Sequence, residues 1–167
     1  MFHLPEGTTF ANKSEHYAHV LKLLSGLLEG ESDFLANLAN TSSLLFHLLP
    51  ELNWCGCYLL RGSELVLGPF QGKPACTRIP LGKGVCGTAG ARKQTVVVEN
   101  VNEFPGHIAC DAASASEIVV PMLRGGELIG VLDLDSPLVG RFDTEDQKGL
   151  EAVVQLLLKS SGQAKSL

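Results

Sequence analysis

Two glycine turns divide the middle of this chain into hairpins, and they constrain its fold more than any other feature. Arg61-Gly62-Ser63 lies between Trp54–Leu60 and Glu64–Phe70, and Arg124-Gly125-Gly126 lies between Glu117–Leu123 and Glu127–Asp135. The flanking runs are rich in Val, Ile, Leu and aromatic residues, and such short turns force each pair of strands to be antiparallel. The β-branched run Thr95–Glu99 reads as a further strand, and Thr77–Pro80 as a short one.

Helical periodicity brackets these hairpins. Val20, Leu21, Leu24, Leu27 and Leu28 fall on one stripe, with Ser14 as candidate cap and Gly30 as stop. A second helix opens at Ser32, carries Phe34, Leu35, Leu38, Leu45, Leu48 and Leu49, and closes at Pro50. Its polar run Asn40-Thr41-Ser42-Ser43 reads as a solvated face rather than a kink or a pocket-facing turn. A short helix from Val85 to about Arg92 follows Gly82-Lys83-Gly84. The last helix spans 143–160, with Asp143 as N-cap, Glu145 and Asp146 at its positive end, and Leu150, Val153, Val154, Leu157 and Leu158 as its apolar stripe. The order predicts an α+β fold. Helices from both chain ends cover one face of an antiparallel sheet, and the loops 71–94 and 100–116 enclose a pocket on the other. A loose arm over 1–13, one domain over 14–160 and a tail over 161–167 complete the expected organisation.

The net charge of −5 argues against nucleic acid or an anionic membrane as partner. No apolar run is long enough to span a bilayer, and the N-terminus MFHLPEGTTF lacks the pattern of a signal peptide, so a cytoplasmic protein is expected. Five cysteines in that compartment are reduced, buried, metal-bound or catalytic. Without a CxxC pair, and with the spacing of Cys76, Cys86 and Cys110, neither a metal nor another cofactor is expected.

Those three cysteines lie in glycine-rich or loop-like surroundings, whereas Cys55 and Cys57 share one face of a strand and read as core. Cys86 sits at a helix start, where free N–H groups favour a thiolate; Cys110 sits in a long loop between His107 and Glu117, free to approach a neighbour. Local physics leaves either as the nucleophile. Asp133 and Asp135 share a strand face, and together with Glu117 they make an acid cluster suited to an ammonium group or to a retained proton. Trp54 and Tyr58 share a face as a candidate apolar wall.

The run SEIVVPMLRGGELIGVLDLDS followed by RFDTEDQKGLEAVV resembles the end of a GAF domain. NWCGCYLL, LGPFQGKPAC, GKGVCGTA and GHIACDAASASEIVVP narrow the resemblance to the free methionine-(R)-sulfoxide reductases, single-domain GAF enzymes. The resemblance covers nearly all of residues 32–158 and departs at Cys55 and Cys57. It implies Cys110, Cys76 and Cys86 as reactive thiols, with Cys110 as attacker and Cys76 as resolver. It implies Trp54, Tyr58, Glu117, Asp133 and Asp135 as substrate contacts, free methionine sulfoxide as substrate and thioredoxin as reductant. A homodimer is a further expectation. The competing classes are a GAF sensor that binds without turnover, and a thiol switch without a specific substrate.

Overall fold

The computed structural model describes residues 9–106 and 112–161. Both glycine turns close hairpins. The first joins β1 (Trp54–Arg61) to β2 (Glu64–Gly72), and the second joins β5 (Ser116–Arg124) to β6 (Glu127–Ser136). Gly62, Gly125 and Gly126 all take positive φ, the conformation that tight hairpin turns demand. The two hairpins pair with each other through β1 and β6. Short strands β3 (Arg78–Pro80) and β4 (Val96–Val98) add to the edges, so the sheet order is β3-β2-β1-β6-β5-β4, antiparallel throughout.

Helices α1 (Lys13–Leu27), α2 (Phe34–Leu48) and α4 (Thr144–Ser160) cover one face. Leu24, Leu38, Leu45, Leu150, Val153 and Leu157 meet Cys55, Cys57, Ile118, Val120, Leu132 and Leu134 of the sheet there. The alternation read from the strands holds, since Trp54, Tyr58, Val119 and Val131 belong to a separate cluster on the opposite face. Helix α3 (Gly84–Arg92) and the loops pack on that second face.

Four local expectations need correction. Asn12, not Ser14, caps α1, its side chain accepting from the Glu15 N–H; Asp33, not Ser32, caps α2 through the Ala36 N–H. The polar run in α2 is solvated only in part: Asn40 is exposed and Ser43 half-buried. Thr41 and Ser42 are fully buried, and each hydroxyl donates to the carbonyl one turn back, of Asn37 and Leu38. That back-bonding lets a hydroxyl enter an apolar interface without an unpaired proton. The stretch 100–116, of which residues 107–111 lie outside the described residues, does not begin as a plain loop. It opens with a 3-10 turn at Val101–Glu103, and its ends are tied where the Val101 N–H donates to the Ala115 carbonyl.

Among the described residues, no helix is long and apolar enough to cross a membrane. Of the expected arm and tail, residues 1–8 and 162–167 lie outside the described residues.

Candidate active site

Strand register assembles the loop-side face. Across β1 and β6, Trp54 stands opposite Asp135 and Gly56 opposite Asp133; across β5 and β6, Glu117 stands opposite Asp135 and Val119 opposite Asp133. Directly opposed residues in an antiparallel pair project to the same face. Trp54, Tyr58, Glu117, Asp133 and Asp135 therefore share one face of the sheet.

The aromatic wall has a third member. Trp54 stacks on Tyr58 with ring centroids 5.9 Å apart and on Phe70 at 5.5 Å, and its indole N–H donates to the Lys73 carbonyl at 3.1 Å. Phe70 stands opposite Gly56, where an added Cβ would meet the Phe70 Cβ at 2.4 Å and the Trp54 Cη2 at 2.6 Å. The missing side chain at Gly56 is what allows the two rings to close over β1. Sequence reasoning missed both residues. The signal was the hairpin register, obscured by an irregularity between Gly56 and Tyr58 that shifts the pairing.

Cys86 reaches the acids because α3 sits unusually close to the end of β3. The Gly82 N–H donates to the Gly87 carbonyl at 2.8 Å, and a Cβ on Gly87 would lie 2.4 Å from the Pro80 carbonyl oxygen. From that seat the Cys86 Sγ lies 3.9 Å from Glu117 Oε1. The sulfur, one Glu117 oxygen and one Asp133 oxygen all lie within 4.8 Å of one another, each on a buried residue.

Burial controls the protons here. It pushes the Glu117 carboxyl well above its usual range and Asp135 pushes it further, while hydrogen bonds with Asp133 and Cys86 draw it partly back. Burial likewise raises Asp133, reinforced by Glu117 and Asp135. Two buried carboxyls in contact share a proton rather than ionise together. The Cys86 thiol is raised well above its ordinary value, by burial first and then by Asp133 and Glu117. The helix-start argument for a Cys86 thiolate is outweighed. A helix terminus supplies about 0.3–1 kcal/mol, whereas full burial shifts a group by up to about 3–5 pKa units.

The other thiols divide cleanly. Cys55 and Cys57 are free and fully buried on the helix side, the Cys57 thiol pushed up to about 12 by burial despite a contact with Ser42. Cys76 is half-buried, packs with Ala75 against the cluster that holds Trp54 and Cys86, and is disulfide-bonded. Cys110 lies outside the described residues. The roles expected for Cys110, Cys76 and Cys86 are taken up below as a proposal.

Residues 24–159 match the family model of the GAF domain. A protein of Escherichia coli called free methionine-R-sulfoxide reductase is 56% identical over 148 residues, covering 89% of this chain and 90% of that protein. The chain belongs to the free methionine-R-sulfoxide reductase family. A family member of the same name from Saccharomyces cerevisiae is 45% identical over 157 residues, covering 89% of this chain and 87% of that protein. The solved structure of the free methionine-R-sulfoxide reductase of Neisseria meningitidis, in complex with its substrate, superposes with a TM-score of 0.90 at 44% identity. It covers 96% of this chain and 95% of that one. That structure and this chain thus share their fold over nearly their whole lengths, beyond the GAF match alone.

Proposed function

We propose that the protein reduces free L-methionine-(R)-sulfoxide to L-methionine. One observation carries the reading: the aromatic wall of Trp54, Tyr58 and Phe70 shares one sheet face with Glu117, Asp133 and Asp135, and Cys86 and Cys76 lie on elements against that face. The wall suits a methyl and thioether. An ionised carboxylate suits the ammonium of an unblocked amino acid, and a protonated one suits the sulfoxide oxygen. The names of the relatives in Escherichia coli and Saccharomyces cerevisiae support the same substrate.

In this mechanism Cys110 attacks as thiolate. Its sulfur takes the oxygen of the sulfoxide, the acid pair supplies the proton to that oxygen, and methionine leaves with its sulfur reduced. The attacking cysteine is left as a sulfenic acid. The Cys76 thiolate then attacks the sulfenic sulfur, water leaves, and a Cys76–Cys110 disulfide forms. A dithiol reductant, thioredoxin in our reading, returns both to thiols. The burial of Cys55, Cys57 and Cys86 supports leaving the redox cycle to the other two. Cys86 holds the acid pair in place from α3. The cytoplasm, where such a reductant is present, is the proposed compartment, and a homodimer the proposed assembly.

The test is incubation with racemic free methionine sulfoxide and dithiothreitol, with a chiral readout of what remains. Loss of the R epimer alone, with methionine appearing, supports the proposal. Binding without consumption would indicate a sensor, and no turnover of either epimer would refute the reading.

A further inference from the structure

We infer that Cys86, Glu117 and Asp133 form a binding site for a thiophilic divalent cation of the zinc and cadmium class, whose occupancy excludes substrate from the same acids. The donors come from three separate elements, α3, β5 and β6, and already lie within 4.8 Å of one another. A tetrahedral zinc with bonds of about 2.0–2.3 Å holds its donors roughly 3.3–3.8 Å apart, so side-chain adjustment of about an ångström closes the set. Asp133 adds an independent observation: it is 6% exposed, and its Oδ1 is buried with no hydrogen-bond partner. An oxygen left in that condition gains from a cation more than a solvated one does.

The donor chemistry selects the metal. One sulfur and two carboxylates suit a borderline or soft ion, whereas magnesium and calcium take oxygen ligands alone. Three protein donors leave a fourth position for water, as in open zinc sites. Binding replaces the Cys86 S–H bond with a sulfur–metal bond and displaces the proton held between Glu117 and Asp133, both protons passing to solvent. Affinity therefore falls as pH falls. No electrons move, so the site is independent of the disulfide. A search of the sequence for paired Cys and His ligands passes over this set because its donors lie on three distant segments.

The test titrates cadmium chloride into the oxidised full-length protein without reductant, so that Cys76 is held in its disulfide. The expected result is a one-to-one sulfur-to-cadmium charge-transfer band, displaced by zinc and unaffected by magnesium. Cys86→Ser should abolish the band, and Asp133→Asn should weaken binding by more than about tenfold. Cys57→Ser should keep it. Cadmium NMR of the wild-type protein, expected to show one sulfur ligand among oxygens, decides the matter even if a variant does not fold. No band in the wild type, a two-sulfur environment, or a band that survives Cys86→Ser would overturn the inference. Because no substrate is present, the outcome stands apart from the methionine sulfoxide assay.

Discussion

Glu117 and Asp135 stand directly opposite each other across β5 and β6, two acids in one cross-strand pair. Like charges so placed destabilise an ordinary sheet. Asp133 lies two residues before Asp135 on the same face, so three acids crowd the start of β5 and the end of β6. A fold retains such a cluster where protons or a cationic ligand relieve it.

The first prediction concerns pH. The folded-state pKa values of Glu117 and Asp133 are raised, so above the ordinary carboxylate range the native site still binds a proton that the unfolded chain has lost. Stability from these groups therefore falls as pH rises through that window toward the raised values. Asp133→Asn, which cannot ionise, should flatten this slope and raise the melting temperature at mildly alkaline pH, while lowering turnover at least about a hundredfold through loss of the acid. Melting curves and rates across pH check both; an unchanged stability slope would count against a retained proton.

Single-turnover assays without reductant separate the thiols. Cys110→Ser should form no methionine. Cys76→Ser should form about one methionine per enzyme and then stall, because attack needs only the nucleophile while recycling needs the resolver. Cys86→Ser should retain its single turnover at a reduced rate. A Cys110→Ser variant that completes a turnover would overturn the assignment.

Gly56→Ala should disrupt the aromatic wall. The new methyl would lie 2.4 Å from the Phe70 Cβ, so β1 and β2 must separate or the rings must move, at a cost of about 1–3 kcal/mol. Denaturant unfolding reads the loss. KM should rise more than kcat falls, since the wall binds substrate but makes no bond in the reaction.

Asp146→Ala tests a site remote from the chemistry. Asp146 is 1% exposed and accepts from Tyr17 Oη at 2.9 Å, from Arg141 Nη1 at 3.1 Å and from Lys13, and it completes the capping box of α4 with Asp143. Removing it leaves the Tyr17 phenol without this acceptor and takes from the Arg141 guanidinium its buried acid, leaving it the Pro50 carbonyl and the half-exposed Glu51, for an expected loss of about 2–4 kcal/mol. Chemical denaturation measures it, and activity per folded molecule at low temperature should be unchanged.

Much of the fold was written locally. Gly62, Gly125 and Gly126 mark turns that only positive φ satisfies, and the stripes of α1 and α4 repeat every three to four residues whatever they later pack against. The strand alternation put Trp54 and Tyr58 on one face and Cys55 and Cys57 on the other before any partner was known. Where the reading erred, a neighbour distant in sequence decided. Ser42 looks solvated until β1 and β2 close over it, with its Oγ 3.8 Å from Cys57 Sγ and 3.3 Å from the Pro69 carbonyl oxygen.

The sequence by itself determined which chemical groups this chain carries and which strand face each side chain takes, because turn conformations and the two-residue strand period are properties of a few neighbouring residues. Only the tertiary structure decided what those groups become. Cys86 reads as an activated thiol from its helix start alone. It becomes a protonated one because the close seat of α3 on Pro80 buries it against Glu117 and Asp133. Burial and through-space charge depend on atoms far away along the chain, and here they exceed the local field of the helix end.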